Sequence, residues 1–428
     1  MHVLSDPRKR RWLGWLSLVT VFLLVNVYRL STAVLSEDLT AVLKISAAQL
    51  GTLHASFFFI YAFVQIPTGI LADRYGARVV ATTGAMVLSL GAVAFTMSSS
   101  YLTAFAARAV IGLGSGVIFI STIRFCANWY RRDEFGTMTG LTTGMAGLGA
   151  IIATTPLAIA IDRFGWRPTI LFLSACGFVA AGGVWVLVRR SPADAGLESI
   201  EDVPDQPTVT LADATGALRS LVVDVEQWLL SIAFFASMGT MLTVIGLWGV
   251  PYLVSVHGLD VTTASTYTLL GSIGILIGGP GIGWVSDRIS QRFRPMVVGL
   301  GFVTIVLSVI PLVGSPPLVV VAFVYVVIGG SIGFTMLSLP IMKEKYPAAA
   351  SGVATATVNG AGFLGGAVLP PVMGLALDRY RTGDVVAGSV VYTEFGYRVA
   401  FGVTTVGLGI AFLCAVVLTY RRRVSVGY

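Results

Sequence analysis

The sequence predicts an all-α integral membrane protein with twelve transmembrane helices arranged as two related six-helix halves. Hydrophobic residues make up 55% of the 428 residues and charged residues only 11%, whereas soluble domains carry about 25% charged residues. The apolar residues come in blocks of about 20, the length that crosses the hydrocarbon core as a helix. A motif in the first half of the chain recurs at the corresponding place in the second half.

Other classes of protein fit this composition poorly. A membrane β-barrel would show segments of about ten residues with alternating polarity, and these blocks do not alternate. The three cysteines lie inside apolar blocks, which favours packing roles over disulfides or a metal site. The sequence contains no nucleophile–base set and no phosphate-binding Gly-rich loop. We therefore expect neither an enzyme nor a nucleotide-driven pump, with no catalytic residues, no cofactor and no metal.

The predicted spans divide the chain into two bundles and a linker. Residues 1–190 form the N-terminal six-helix bundle, with spans near 12–35, 51–71, 79–98, 101–127, 136–160 and 168–189. Residues 191–226 are polar and contain three prolines and several acids, which is typical of a flexible linker. Residues 227–428 form the C-terminal six-helix bundle, with spans near 227–250, 265–286, 295–313, 316–342, 352–377 and 397–420.

The basic residues predict the orientation. Of the 28 Lys and Arg residues, 19 lie in segments on the side of the two termini and six lie on the other side. This asymmetry predicts a plasma-membrane protein with both termini and the linker in the cytoplasm. The net charge of +7 thus reflects topology, and no nucleic-acid partner is expected. The first apolar block is too long for a signal peptide and lacks a clear cleavage site, so it is expected to remain as the first helix.

An internal repeat relates the two halves. Gly69 to Arg74 matches Gly283 to Arg288, and Pro156 matches Pro370, both at an offset of 214. The Asp-Arg pair at Asp162 recurs at Asp378 at nearly the same offset. Six spans separate the copies, so the halves have the same orientation, which is one of the main designs of secondary transporters.

The segment from Gly69 to Arg78, Gly-Ile-Leu-Ala-Asp-Arg-Tyr-Gly-Ala-Arg, resembles motif A of the major facilitator superfamily. The resemblance covers the whole chain and implies the major facilitator fold. It also implies that Asp73 faces the start of the eleventh helix near Ser351, and by the repeat that Asp287 faces the fifth helix near residues 135–137. These contacts would latch the halves together at the cytoplasmic face. The alternative is that the charges only determine topology. The expected gating residues are Gly69, Asp73, Arg74, Gly76, Arg78, Arg108, Gly283, Asp287 and Arg288.

Arg108 begins a segment that resembles motif B, with Gly112 and Gly116 following at four-residue intervals. The glycines provide a close-packing face. Arg108 is expected to contact the first helix in a structural or gating role. The fifth span lacks the Gly-Pro pair typical of drug/proton antiporters in the family, which disfavours that branch.

Two further arginines inside spans are candidates for substrate binding, because a charge in the membrane is costly and usually functional. Arg29 lies in a stretch similar to the N-Y-x-x-R-x-x-L-S region of organic anion carriers, with different spacing. Arg124 lies in a stretch similar to the end of helix four in sugar-phosphate and hexuronate carriers. Their guanidinium groups suit a carboxylate or phosphate. Alternatively, Arg29 reaches toward Glu37 and Asp38, and Arg124 reaches the cytoplasmic interface.

The C-terminal half offers no matching charge, since Thr243 stands at the position that corresponds to Arg29 in the repeat. A monoanionic substrate is therefore favoured. Uncharged candidates for the substrate site complete the set: Tyr28, Tyr61, Gln65, Trp248, Tyr267 and Asn359.

These features predict a monomeric secondary transporter, a symporter for a small organic anion, that works by alternating access in the lipid bilayer. No Asp or Glu lies deep in a span, so coupling to a proton, coupling to sodium and facilitated transport all remain open, and His54 is the titratable candidate. The alternatives are an efflux carrier for apolar or cationic compounds, which would require a buried acid, and a transporter-like solute sensor, which would favour an extra cytoplasmic domain.

Overall fold

The computed structural model describes residues 6–198, 200, 202–203, 221–346, 348–386 and 389–426. Within these ranges, the side chains at 66, 70, 73, 132, 348–349, 383–386, 389–390 and 423–426 lie outside the description. Most of the predicted linker and the carboxylate of Asp73 are therefore outside the described part of the chain.

In these ranges, twelve helices are long and apolar enough to cross a membrane, as the sequence predicted. Spans 1–6 are Pro7–Leu30, Ala47–Gln65, Arg74–Thr96, Tyr101–Trp129, Asp133–Ile152 and Trp166–Leu187. Spans 7–12 are Val225–His257, Val261–Arg288, Phe293–Val313, Leu318–Lys345, Ala350–Arg379 and Glu394–Arg422. Because the number of spans is even, both ends of the chain lie on one side, called here the terminal face; the opposite side is the far face.

The helices of the first half are Pro7–Leu30, Ser36–Leu43, Ala47–Thr96, Tyr101–Gly116, Ile118–Trp129, Arg132–Ile152, Thr155–Phe164 and Trp166–Leu187. A 3-10 turn follows at Ala193–Ala195. The second half contains Val225–Thr243, a π-helical turn at Val244–Trp248, Gly249–His257, Val261–Arg288, Phe293–Val313, Leu318–Gly330, Ile332–Met336, Ser338–Lys345, Ala348–Arg379 and Glu394–Val426. Strands Arg381–Val386 and Ser389–Tyr392 pair as an antiparallel hairpin at the far face.

Local sequence explains where the spans begin. Span 2 begins after Ser46, whose hydroxyl accepts from the backbone N–H of Gln49 in a capping box. Span 8 begins after Asp260, which accepts from the backbone N–H of Thr263. Ser46 and Asp260 occupy corresponding positions in the repeat, so the two copies start this helix at the same place. Spans 2 and 3 belong to one long helical segment that is kinked at Gly76, where φ is +81°, a conformation that favours glycine.

Glycines set the closest helix crossings. A Cβ atom at Gly114 on span 4 would lie 2.3 Å from the backbone nitrogen of Leu88 and 2.4 Å from the carbonyl oxygen of Gly84, both on span 3. At Gly112 it would lie 2.5 Å from the carbonyl oxygen of Phe57 on span 2. Small residues here bring three helices into backbone contact, which is the main source of packing energy between helices in lipid.

Span 5 and its extension contact span 8 toward the far face, and these contacts form the 5/8 seam. The hydroxyls of Thr155 and Ser265 lie 3.2 Å apart, and Ser272 donates to the carbonyl of Ala150 at 3.4 Å. The last contact of this series is between Gly147 and Leu276, because a Cβ at Gly147 would lie 2.7 Å from the Leu276 side chain. Nearer the terminal face, a Cβ would meet nothing within 4 Å at Gly136, Gly140, Gly144, Gly279, Gly281 or Gly283.

Spans 2 and 11 show the same pattern, called here the 2/11 seam. A Cβ at Gly374 would lie 2.4 Å from the carbonyl oxygen of Ala47, and one at Gly51 would lie 2.6 Å from that of Pro370. Near the terminal face, Gly69, Gly352 and Gly360 have open space around them. In both seams the glycines toward the far face lie against the opposite half, whereas those nearer the terminal face border open space, which indicates that the halves diverge toward the terminal face.

The glycine crossings predict a selective loss of stability. Gly114→Ala should lower the free energy of unfolding by about 1–3 kcal/mol, because the new methyl group overlaps backbone atoms that cannot move aside. Gly144→Ala, where a Cβ meets nothing within 4 Å, is the matched control and should be neutral or slightly stabilising, since alanine favours helix. Thermal unfolding of the purified variants measures both. Equal melting temperatures would contradict the packing role of Gly114.

The divergence of the seams predicts unequal accessibility along span 11. Gly360→Cys should react readily with a water-soluble maleimide, because the glycine faces open space. Ala367→Cys, two turns nearer the far face and 7% exposed, should react several-fold more slowly. The rates are compared in a Cys176→Ala background, since Cys126 and Cys414 are buried. Faster labelling at position 367 would show that the far face is the open side.

Candidate functional site

The closed end of the space between the halves contains Arg29. The first helix ends at Leu30, but the chain continues through a turn in which Ser31 and Leu35 donate to Val27 and Ser31 before the short helix Ser36–Leu43. Arg29 therefore lies at an interruption in a long helical segment, in the interior of the protein. Its side chain is 9% exposed.

The guanidinium of Arg29 is held by an amide and two rings. One terminal nitrogen donates to the Oδ1 atom of Asn26 at 2.9 Å. The guanidinium carbon lies 5.1 Å from the ring centroid of Tyr61 on span 2 and 5.1 Å from that of Phe363 on span 11. Each ring attracts the cation electrostatically. Because Tyr61 and Phe363 come from different halves, Arg29 lies where the two halves meet.

The positive charge of Arg29 is not neutralised by a carboxylate. None of the ion pairs among the described residues includes Arg29, so the alternative of a contact with Glu37 or Asp38 is not found in this conformation. The Nε atom is buried and has no hydrogen-bond partner. A buried guanidinium with an unused donor is suited to bind an anion.

Two amides lie one helical turn nearer the terminal face. Gln65 follows Tyr61 by four residues on span 2, and Asn359 precedes Phe363 by four residues on span 11, so each shares the face of its aromatic neighbour. Gln65 is 8% exposed and Asn359 is half-buried. In the described part of the chain neither side chain has a hydrogen-bond partner. The two halves thus present one free amide each below Arg29.

Arg124 lies nearer the terminal face on span 4 than Arg108 does. Arg108 contacts the first helix at Tyr28, next to Arg29, through a 3.2 Å hydrogen bond to the Tyr28 carbonyl oxygen. Arg124 follows Arg108 by 16 residues on span 4, which is about 24 Å at 1.5 Å per residue. The role of Arg124 in substrate binding stays a prediction.

The other candidates occupy different positions. The Tyr28 side chain is buried, and its hydroxyl has no hydrogen-bond partner. Trp248 uses its indole N–H to donate to the carbonyl of Pro370 at 3.0 Å, so it fastens span 7 to span 11. Tyr267 is partly buried on span 8. These placements give no support for direct substrate contact by Tyr28 or Trp248 in this conformation.

His54 and Arg108 are buried beside the site toward the far face. His54 is fully buried, and neither ring nitrogen has a partner. Its ring approaches Gly246, where a Cβ would lie 3.3 Å from the imidazole. Gly246 belongs to the π-helical turn of span 7, so His54 is another contact between the halves. The contact of Arg108 with the first helix is present as the sequence predicted, and its gating role stays a proposal.

Apart from Arg108, the predicted gating residues lie toward the terminal face. Arg78 stacks on Trp185 at 4.0 Å and donates to the Trp185 carbonyl. Arg74 and Arg288 lie over the rings of Tyr75 and Trp284. Asp287 pairs with Arg292, which corresponds to Arg78 in the repeat, and Arg292 also reaches Glu344. The Asp73 side chain is outside the described residues, so the latch predicted for the cytoplasmic face stays a prediction.

Three residues of the cluster region escaped the sequence reasoning: Asn26, Phe363 and Asp378. Asn26 lies three residues before Arg29, one helical turn away, and this spacing was a usable signal. Phe363 is an ordinary apolar residue of an apolar span, and no pattern in the sequence distinguishes it. Asp378 was noted only as part of the repeat, yet its carboxylate accepts from the backbone N–H groups of Ala47 and Ala48 at 3.0 and 2.9 Å.

The chain is similar to known transporters in sequence and in fold, and two of these relatives are named for organic anions. The chain is 25% identical to the gentisate transporter of Corynebacterium glutamicum over 342 residues, 78% of this chain and 74% of that protein. It is 22% identical to the D-galactonate transporter of Escherichia coli, covering 88% and 91% of the two chains. A crystal structure of a bacterial homologue of the human lysosomal transporter Spinster, inward-facing and unoccupied, superposes with a TM-score of 0.74 at 17% identity, over 95% and 97% of the chains.

The model of the Major Facilitator Superfamily matches residues 16–370. That match, the twelve spans, the two halves and the transporter relatives agree with one another. The chain is a multi-pass membrane transporter for a small-molecule solute and belongs to the Major Facilitator Superfamily.

Proposed function

We propose that this transporter carries a small organic monoanion and that Arg29 binds the carboxylate of the substrate. The observation that carries the proposal is the buried guanidinium of Arg29 at the meeting point of the halves, with a free Nε donor and no carboxylate partner among the described residues. An uncompensated charge in a span costs about 2.5–3.5 kcal/mol or more. A bound anion would offset that cost in the loaded state.

The surroundings of Arg29 fit a carboxylate with a polar or aromatic body. The Nε atom and a terminal nitrogen form the fork that binds a carboxylate through two parallel hydrogen bonds. The amides of Gln65 and Asn359 can each donate and accept, which suits substrate hydroxyl groups. Tyr61 and Phe363 provide apolar surface. Arg108 already donates to the Tyr28 carbonyl, so we assign Arg29 alone to the substrate, and one guanidinium matches a single negative charge.

The relatives support the same substrate class. Gentisate and D-galactonate, named for two of the relatives, are an aromatic and a sugar acid, and each carries one carboxylate and at least two hydroxyl groups. A site with one guanidinium and free amides addresses the groups that they share. The aromatic rings and the amides would select among anions of this class, because they would contact the part of the substrate that lies beyond its carboxylate.

The mechanism that we propose is alternating access. With both termini in the cytoplasm, as the basic loops indicate, the described conformation opens to the cytoplasm. Substrate would reach Arg29 from the terminal face and displace the Phe363 ring. Rocking of the C-terminal half against the N-terminal half would separate Phe363 from Tyr61 and expose Arg29 to the far side. We place the protein in the plasma membrane as a monomer, with bundles at residues 1–190 and 227–428 joined by a cytoplasmic linker at 191–226.

For coupling, we propose symport with a proton rather than sodium. Two carboxyl groups near the far face support this choice. Burial, together with the charge of Asp38, raises the pKa of Glu37, and burial raises the pKa of Asp38. Both groups lie on the short helix Ser36–Leu43, which continues directly from Arg29. A raised pKa lets a carboxyl group bind a proton at a less acidic pH.

Proteoliposome uptake tests the coupling ion. We expect an inwardly directed proton gradient, with the outside more acidic, to increase the initial rate of substrate uptake several-fold. A sodium gradient should leave that rate unchanged. In the Glu37→Gln/Asp38→Asn variant the stimulation by acid pH should fall, because the groups that take up the proton are gone. Stimulation by sodium alone would refute proton symport while leaving the anion site intact.

Ligand-induced thermal stabilisation tests the anion site. Gentisate and D-galactonate should raise the melting temperature, whereas hydroquinone and galactitol, which lack the carboxylate, should not. Arg29→Gln should weaken carboxylate binding by roughly 10- to 100-fold, the range for a lost hydrogen bond to a charged group. The matched control is Arg163→Gln, which should retain the effect, since Arg163 is exposed at the far-face end of the helix Thr155–Phe164. Unchanged binding in Arg29→Gln would refute the site.

A further inference from the structure

The 2/11 seam runs from the candidate site to the far face in register. Phe363 contacts Tyr61, with ring centroids 4.5 Å apart. Pro370 lies against Gly51, and Gly374 lies against Ala47. Pro370, Gly374 and Asp378 are spaced four residues apart, so they share one face of span 11. The seam is thus a continuous contact that begins at the ring covering Arg29 and ends at Asp378.

The last contact of the seam is a carboxylate on a helix end. Ala47 and Ala48 are the first residues of span 2, and their backbone N–H groups have no partner within the helix. The two oxygens of Asp378 accept one hydrogen bond from each, at 3.0 and 2.9 Å. The negative charge also lies at the positive end of the helix dipole. A residue near the end of the C-terminal half therefore completes a helix end of the N-terminal half.

The pseudo-symmetric position is built differently. Asp162, the repeat partner of Asp378 in the Asp-Arg pair, is exposed to solvent. The start of span 8 has its own cap, because Asp260 accepts from the Thr263 N–H at 2.9 Å. In the 5/8 seam, the polar contacts between halves among the described residues are made by hydroxyl groups, those of Ser265 and Ser272. The charged contact at the far face is thus formed in the 2/11 seam and not in the described part of the 5/8 seam.

We propose that the Asp378 carboxylate and the start of span 2 form a latch that holds the far face closed, and that opening of the far face requires its release. The close approach of Gly374 and Gly51 to opposing backbone allows the carboxylate to reach the helix end. Opening transfers both partners to water and loses the two charge-assisted bonds together. The latch depends on the geometry of the seam and not on the identity of the substrate.

Variants on both sides of the contact distinguish the loss of the latch from a general loss of stability. Asp378→Asn keeps one acceptor and removes the charge, and Asp378→Ala removes both. Ala47→Pro removes a donor from the opposite half, at the first helical position, where proline is well tolerated. Ser46 before it is already extended, with ψ of 169°, as a residue before proline prefers. Asp162→Asn is the matched control on the exposed carboxylate.

Spin labels report the state of the far face. Ser99 and Ser315 are exposed and lie in far-face loops of opposite halves, so Ser99→Cys and Ser315→Cys in a background without Cys126, Cys176 and Cys414 give an interhalf distance by pulsed electron resonance in nanodiscs. The far-open population should increase several-fold in Asp378→Asn and Ala47→Pro, and roughly 10- to 100-fold in Asp378→Ala. Asp162→Asn should match the parent.

The two sides of the latch should not be additive. Ala47→Pro in the Asp378→Ala background should add little further opening, because the bond is already absent. An unchanged distance distribution in both Asp378→Asn and Ala47→Pro would overturn the proposal, as would an equal opening in Asp162→Asn. If Asp378→Ala does not fold, the distances measured in Ala47→Pro and Asp378→Asn still test the latch. Neither outcome bears on Arg29, since the distances are measured without substrate.

Discussion

The buried charge of Arg29 is the constraint on which the arrangement of the site depends. A guanidinium inside a membrane protein must be compensated, and here the described neighbours supply only partial compensation through Asn26, Tyr61 and Phe363. One of these partners, Phe363, belongs to the other half of the protein. The electrostatic requirement of one side chain is thereby coupled to the relative position of the two halves. A ligand that satisfies Arg29 removes the need for Phe363 and changes the balance between conformations.

Glycine has two distinct roles in the same fold. At Gly51, Gly114 and Gly374 the absent side chain allows backbone to approach backbone, which fixes helices against one another. At Gly140, Gly144 and Gly360 it borders open space. Glycines of the second kind lie on the surfaces that would approach each other if the terminal face closed. Glycine thus allows the helices of the two halves to touch at the far face in this conformation, and it would allow them to touch at the terminal face in the opposite one.

The sequence was sufficient for the twelve spans, the repeat and the position of Arg29 inside the first span, because hydrophobic length and charge are local properties. The role of Arg29 in substrate binding stays a prediction. It was not sufficient for the partners of Arg29. Phe363 lies in the opposite half of the chain and looks like any other apolar residue of its span, so only the packing of the halves reveals it. Nor does the sequence decide whether Arg124 acts together with Arg29, because the two residues lie on different spans, and the role of Arg124 stays a prediction. The break between spans 2 and 3 could be expected, because Gly76 interrupts the apolar pattern and adopts a positive φ. The π-helical turn at Val244–Trp248 and the short helix Ser36–Leu43 could not, because hydropathy gives no signal for them.

The unequal capping of spans 2 and 8 has a consequence for isotope exchange. Thr263 donates to Asp260 of its own helix end, so its amide is protected whatever the position of the halves. The amides of Ala47 and Ala48 donate to a residue of the opposite half, so their protection from deuterium lasts only while the far face is closed. Exchange at these two amides, relative to exchange at Thr263, therefore measures how often the unmodified transporter opens to the far side.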